Sequence, residues 1–426
     1  MDTRHGWVAP RALAPRHSAA IERRRFRAVG LERAGAVERR RPTAMGARAA
    51  TLATIAALAL AGCTSNSTNG AASIAVAIAD DTCTLSAAQA PAGHAVFTLK
   101  NTGSKVAEFY VYAADGTTII AELENVGPGI TRDLVVALDE GTYVTSCDPG
   151  MDGSPIRSDF VATAAGRTES PSAERQAALD AASTQFLAFV RAEANSLATK
   201  TKAFADAFAA GDDATARSLY ADTRVHWERL EPVAESFGDL DPSLDLREAD
   251  LGPQELWMGW HRAEKVLWPP TDGYAITEAD RASIAAQLVA DTLDLKSRVT
   301  DPAFTIAPFA IGNGAKELLD ELATSKITGE EEVWSGTDLW DMQGNVDGAY
   351  AAYESLRPIV AASDPALATE LDQRFGDVNA ILAAHGSVAK GFVPYSALTH
   401  ADVLELSRAV EALSEPLSRL TAAAVL

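Results

Sequence analysis

Apolar positions divide this chain into a region of short strand-like runs and a region of long helical periods. Between residues 74 and 165 the apolar residues come in brief β-prone runs at 95–99, 107–112 and 134–138. Asn101 with Gly103, Asp115 with Gly116, Gly127 with Pro128, and Glu140 with Gly141 separate them as turns. Short strands at this spacing predict a small β-sandwich over 74–165. Residues 166–176, with Gly166, Thr168, Ser170 and Pro171, read as a linker. From about Glu174 an alanine-rich helical period takes over and runs to the end of the chain. It predicts helices over roughly 174–209, 212–236, 253–268, 277–299, 313–324, 336–361, 364–385 and 400–423. That much helix suffices for an all-α bundle over 177–426. The expected fold class is therefore multidomain, a small β-sandwich followed by a helical bundle.

The pattern ahead of residue 74 belongs to neither region. Residues 1–44 are rich in Arg, lack Lys and show no sustained apolar period, and they read as an upstream extension with Met45 as an alternative start. Over 45–62 a basic start gives way to an apolar stretch too short to span a membrane, ending in Leu60, Ala61 and Gly62 before Cys63. That ending resembles a bacterial lipobox. It implies cleavage before Cys63 and lipidation of the Cys63 sulfur, with a simple cleaved signal or an uncleaved anchor as the alternative. Residues 63–73 then form a tether. The expected location is the extracytoplasmic face of a membrane, periplasmic or cell-surface, held by lipid.

Charge changes once this segment is set aside. Residues 1–62 carry 12 Arg against 4 acids, so the −21 of the whole chain becomes −29 without them. An acidic body of this kind lacks the basic patches that nucleic acid requires and attracts cations instead. Lipidation of Cys63 leaves Cys83 and Cys147. Outside the cytoplasm such a pair reads first as a disulfide, and as two thiolates it would be a metal-ligand pair. A blue-copper centre wants two His, one Cys and a weak Met. His94, Cys147 and Met151 do not supply that set, because residues 147–151 contain no His.

The candidate chemistry of the helical region centres on His261 and Glu264. Three residues apart on a helix, they share a face with Trp257 and Trp268. An imidazole and a carboxylate directed with tryptophans into a core need a partner, and a metal ion satisfies both. A hydrogen-bonded histidine in the core is the plainer reading of the same spacing. Glu228, Glu231 and Glu235, at i, i+3 and i+7, form an acidic face on another predicted helix, and Arg224 and Arg229 offset it in part. Pro232 within that helix frees the carbonyl of Glu228 and predicts a kink beside the acids. A third segment runs from Lys326 through Glu330, Glu331 and Glu332. In it Ser335 or Thr337 is expected to cap a helix, with Asp338 in the first turn and Asp341 and Asn345 facing inward.

Three strings together carry a family resemblance. They are Arg224 with Trp227 to Asp241, Gly259 with His261 and Glu264, and Lys326 to Glu331. The chain resembles the imelysin-like family, and most closely its EfeO-type iron-uptake branch, in which a lipoprotein signal precedes a cupredoxin-like domain and an imelysin-like bundle. The resemblance implies an iron-binding component that works with an iron permease and a haem peroxidase. It implies iron (Fe2+ or Fe3+) at His261, Glu264, Glu228 and Glu231. It also implies a second metal, copper or iron, at Cys83, Cys147 and Glu108 with Glu122 or Glu124. One departure stands out: Gly336 occupies a position where the family often has His. An imelysin-type metallopeptidase is the alternative. However, this chain has His-x-x-Glu rather than His-Glu-x-x-His, and no convincing nucleophile set. Binding rather than catalysis is therefore the expected role.

Overall fold

Strict alternation builds the first region. In β1 (Ala72–Ala79), Ile74, Val76 and Ile78 are buried while Ser73, Ala75 and Ala77 face outward. The computed structural model describes residues 71–150, 155–164, 171–252 and 256–426, so the expected signal segment and Cys63 lie outside the described residues. After β1 come β2 (Thr82–Leu85), β3 (Gln89–Pro91), β4 (Gly93–Asn101), β5 (Ala107–Tyr112) and β6 (Ile119–Val126). Then follow β7 (Thr131–Leu138), β8 (Gly141–Pro149) and β9 (Ile156–Thr163). They form two sheets, ordered β2-β1-β4-β7 and β3-β9-β8-β5-β6. The pairs β1/β4 and β3/β9 run parallel and the others antiparallel. Phe97 of one sheet meets Phe109 and Phe160 of the other, with ring centroids 5.4 and 5.2 Å apart.

A disulfide between Cys83 on β2 and Cys147 on β8 ties the two sheets together. Cys147 pairs with Phe109 across β5/β8 and shares its inward face, whereas Glu108 precedes Phe109 and points to the opposite face. There the Tyr110 hydroxyl lies 2.8 Å from both Glu108 Oε2 and Glu124 Oε1. Glu122 pairs with Tyr110 on the same outer face. The pleat therefore places Glu108 on the face opposite Cys147. The two sulfurs are spent on each other.

Ten α-helices follow among the described residues. They are α1 (Ala173–Ala209), α2 (Asp213–Glu228), α3 (Leu240–Asp245), α4 (Gly259–Leu267) and α5 (Glu278–Thr300), then α6 (Pro308–Thr324), α7 (Asp338–Ser363), α8 (Pro365–His385), α9 (His400–Leu417) and α10 (Leu420–Val425). The long α1 lies along α5, α2 and α7, and α6 packs on α7 and α9. Helix α6 also touches β6 and β7 of the sandwich, where Asn313 Nδ2 donates to the Val135 carbonyl at 2.9 Å.

Two expected helices are shorter than predicted, each for a local reason. Helix α2 stops at Glu228 instead of continuing kinked to 236, and the chain resumes as a 3-10 turn at Glu231–Phe237. Pro232 cannot donate the bond that would continue the helix. The carbonyl of Glu228 that is freed accepts from Asn345 Nδ2 at 3.3 Å. Helix α4 begins only at Gly259, whose φ of +84° is left-handed and whose missing Cβ would meet the Leu244 carbonyl oxygen at 2.3 Å. Trp257 therefore precedes the helix and Trp268 caps its end, so the expected tryptophan stripe is replaced by Trp260, which is fully buried. Conversely, α6 starts five residues before its expected beginning because Pro308 opens its first turn.

The disulfide closes a loop spanning a sequence separation of 64. Loop entropy assigns such a bridge about 4 kcal/mol. The double variant Cys83→Ala/Cys147→Ala is expected to lose stability of that order in urea denaturation. A loss below about 1 kcal/mol would contradict a structural role for the bridge.

Candidate metal site

His261 is completely buried on α4, next in sequence to Trp260, whose ring meets Phe204 and Tyr220. Its two ring nitrogens face two different pairs of carboxylates. Nε2 lies 3.3 Å from Asp245 Oδ1 and 3.4 Å from Glu331 Oε1. Nδ1 lies 3.6 Å from Glu264 Oε2 and 3.9 Å from Glu332 Oε1. Neither nitrogen makes a well-formed hydrogen bond, and Glu264 Oε2 is likewise buried without a donor. Buried polar atoms in this state are costly unless something completes them. A cation placed between ring and carboxylates would do so.

The loop before α7 supplies most of what surrounds α4. The backbone N–H groups of Trp334 and Ser335 donate to Glu264 Oε1 at 2.9 and 2.6 Å, which fixes one oxygen and leaves Oε2 directed at His261. Ser335 and Thr337 place their hydroxyls on Glu332 Oε2 at 2.7 and 3.2 Å. Thr337 is the N-cap residue of α7 but makes no side-chain cap bond, because its hydroxyl serves the glutamate instead. Tyr220 donates to Glu332 Oε1 at 3.0 Å. Gly336 has a left-handed φ of +68°, and its carbonyl accepts from Tyr395 N–H at 2.9 Å. Outside the loop, Lys265 sits over the rings of Trp257, Trp334 and Tyr274.

Glu228 and Glu231 lie together next to this centre but not on the histidine. Their carboxylates group with Asp245, while His261 groups either with Asp245 and Glu331 or with Glu264 and Glu332. The four ligands expected from the sequence thus fall into two neighbouring groups, joined by Asp245. Glu228 Oε2 accepts from Asn345 Nδ2 at 2.8 Å and pairs with Lys326 Nζ at 3.2 Å. Glu231 also accepts from Asn345 and lies 2.6 Å from Lys326 Nζ. Gly344 permits this approach, since a Cβ there would meet Glu228 Cβ at 2.5 Å. The side chain of Glu235 lies outside the described residues.

Arg224 stands between the groups. Its guanidinium makes a two-pronged contact with Asp245 and approaches Glu228 at 2.7 Å, Glu331 at 2.9 Å, Glu332 at 2.6 Å and Asp341 at 3.5 Å. Even with Lys326 and Arg247, the cations are outnumbered by these carboxylates. Burial followed by neighbouring acids raises Glu231, Glu332 and Asp341 well above the usual carboxylate range. Burial also raises Asp245, but the charges of Arg224 and His261 outweigh it and hold that group low. For His261, burial and Arg224 oppose the charged ring, while Asp245, Glu264 and Glu331 overcome them and raise it above the usual histidine value. The cluster is a closed polar core. A cleft of about 250 Å³ opens elsewhere, beside Glu124, Arg132 and Asp320, and none of the cluster's side chains lines it.

Comparison with known proteins agrees with this architecture. The family profile described as Imelysin matches residues 176–420, and one described as Cupredoxin-like domain matches residues 52–160. The chain belongs to the imelysin family. Among its relatives, a protein named Iron uptake system component EfeO from Yersinia pestis is 36% identical over 350 residues, covering 82% of this chain and 90% of that protein. The protein of the same name from Yersinia pseudotuberculosis shows the same identity and coverage. That of Escherichia coli K12 is 35% identical over the same length. This imelysin chain thus combines a cupredoxin-like sandwich with an imelysin bundle.

Asp245 and Glu332 were not legible as site residues. Asp245 ends a six-residue helix with no periodic signal, and Glu332 reads as one acid in a run. Lys326 and Glu331 sit in a string that carries the family resemblance, with nothing in the local pattern to set them above their neighbours.

Asp338 offers a test of the electrostatics. Burial pushes its carboxyl up to about 6, against the hydrogen bond it accepts from Glu332 N–H. A folded-state value raised above the ordinary 3.8 favours folding below pH 4, and that contribution is lost as pH rises through 6. Asp338→Asn should therefore be more stable than wild type at pH 8 by up to about 3 kcal/mol, with the advantage gone below pH 4. Urea denaturation in the presence of a chelator reads this out, and a difference independent of pH would refute it.

Proposed function

We propose that this protein is the iron-binding component of an iron-uptake system. It captures iron at the extracytoplasmic face of a membrane and delivers it to a permease, alongside a haem peroxidase. The observation that carries this reading is the pair of unsatisfied His261 nitrogens facing carboxylates in a buried core with too few cations. The names of its relatives point the same way.

Iron is the cargo, and the donors suit it. Carboxylates and one imidazole are hard to borderline ligands. His261 offers either Nε2 with Asp245 and Glu331 or Nδ1 with Glu264 and Glu332, and Glu228 and Glu231 extend the acidic surround through Asp245. A divalent ion offsets the excess negative charge. The ligand must be neutral imidazole, so iron and the His261 proton exclude one another. The carboxylates that raise the His261 proton affinity therefore make iron affinity increase with pH across and above the usual histidine range. Lipid on Cys63 would hold the protein beside its permease. No helix among the described residues is long and apolar enough to cross the membrane.

Calorimetric titration with Fe2+ under anaerobic conditions tests the site. His261→Gln is expected to abolish tight binding, and Glu264→Gln to weaken it at least tenfold, or by about 1.4 kcal/mol. Wild-type affinity should fall between pH 8 and pH 6. A His261→Gln variant that is less stable yet binds iron as well as wild type would leave the histidine a core residue only. The anchor has its own test: Cys63→Ala should stay unprocessed or leave the membrane fraction. Processing and fractionation like wild type would end the lipoprotein reading.

A further inference from the structure

Lys326 belongs to none of the ligand groups, yet it is 2% exposed in the middle of them. It begins the 3-10 turn Lys326–Thr328 between α6 and the loop that carries Glu331 and Glu332. That turn is fixed from outside, because the Tyr395 hydroxyl donates to the Ile327 carbonyl at 2.8 Å. From there the ammonium reaches Glu231 Oε1 at 2.6 Å, Glu228 Oε2 at 3.2 Å and Glu331 Oε1 at 3.8 Å. Glu228 and Glu231 are two of the three carboxylates that could together hold an ion, and Glu331 belongs to one of the histidine groups. Lys326 Nζ therefore occupies carboxylate oxygens of two of the three acids that a cation in the group of Glu228, Glu231 and Asp245 would need.

The two most deeply buried cations of this core, Arg224 and Lys326, differ in kind. Arg224 lies in the middle of α2, grips Asp245 with two prongs and touches four further acids. A guanidinium so held is a fixed part of the frame. Lys326 is a compact ammonium on a flexible four-carbon stem, making single contacts. A metal ion draws carboxylate oxygens to about 2 Å, and those oxygens cannot at the same time serve an ammonium at full strength. Two positive charges on one pair of carboxylates also repel.

We propose that Lys326 is a tethered counter-ion that exchanges with iron. It holds Glu228 and Glu231 when iron is absent, swings out toward solvent when iron binds, and takes the carboxylates back as iron leaves. This rests on the bundle being an iron site. The exchange lets the metal-free core stay folded without bare buried carboxylates. It also keeps iron affinity below what the number of acids alone would give, which suits a protein that must release its cargo.

The test compares wild type, Lys326→Met and Lys326→Arg by anaerobic Fe2+ titration and by the rate at which a chelator removes the metal. Lys326→Met is expected to bind at least tenfold tighter and release more slowly, while Lys326→Arg binds no tighter than wild type. Equal or weaker binding by Lys326→Met, with wild type still binding, overturns the exchange alone. Absence of wild-type binding overturns the iron site itself. A second measurement needs no variant: amine labelling of wild-type Lys326 read by mass spectrometry with and without Fe2+. Lys316, buried and paired with Asp320, is the internal reference. Iron should raise labelling of Lys326 several-fold and leave Lys316 unchanged. Unchanged or reduced labelling of Lys326 overturns the proposal.

Discussion

The centre of the bundle depends on one buried guanidinium. Arg224 is fully enclosed, and its partners arrive from the end of α2, the end of α3, the loop before α7 and α7 itself. None of these segments could bring a carboxylate into the core unaided, because an unpaired buried charge costs several kcal/mol. Arginine does not lose its proton at any relevant pH. The frame is therefore fixed, while protonation adjusts around it.

That frame explains why the site is assembled by a loop as much as by helices. Helix α4 presents His261 and Glu264, but the amides of Trp334 and Ser335 decide which Glu264 oxygen remains available. The hydroxyls of Ser335 and Thr337 do the same for Glu332. The loop is in turn clasped by Trp257 against Trp334 and by the Gly336 carbonyl against Tyr395. Short polar side chains that would elsewhere cap a helix here orient a glutamate, at the expense of the α7 cap.

The sandwich obeys a different constraint. Its disulfide links a strand of one sheet to a strand of the other through the core, and pleat parity then sends Glu108, Tyr110, Glu122 and Glu124 to the outer face. Burial, with the charges of Glu124, Glu108 and Glu122, raises the Tyr110 hydroxyl far above its ordinary value and keeps it protonated. The two halves of the chain thus keep their acids in separate clusters, one against a tyrosine and one against Arg224 and Lys326.

The sequence by itself determined the order of a strand region and a helical region, because alternation and the helical period are local properties that survive in the chain as written. It also determined that His261 and Glu264 share a face, since three residues of helix fix that geometry. The end of α2 and the start of α4 are not legible in it, because Pro232 stops a helix only if its neighbours find other partners, and Gly259 takes a left-handed turn only against the Leu244 carbonyl. Only the tertiary structure decided that Asp245, Glu331 and Glu332 surround the histidine, that Glu228 and Glu231 stand one group away, and that Arg224 and Lys326 hold them. Those contacts join residues up to about a hundred positions apart, and charge complementarity across that separation leaves no periodic trace in the sequence.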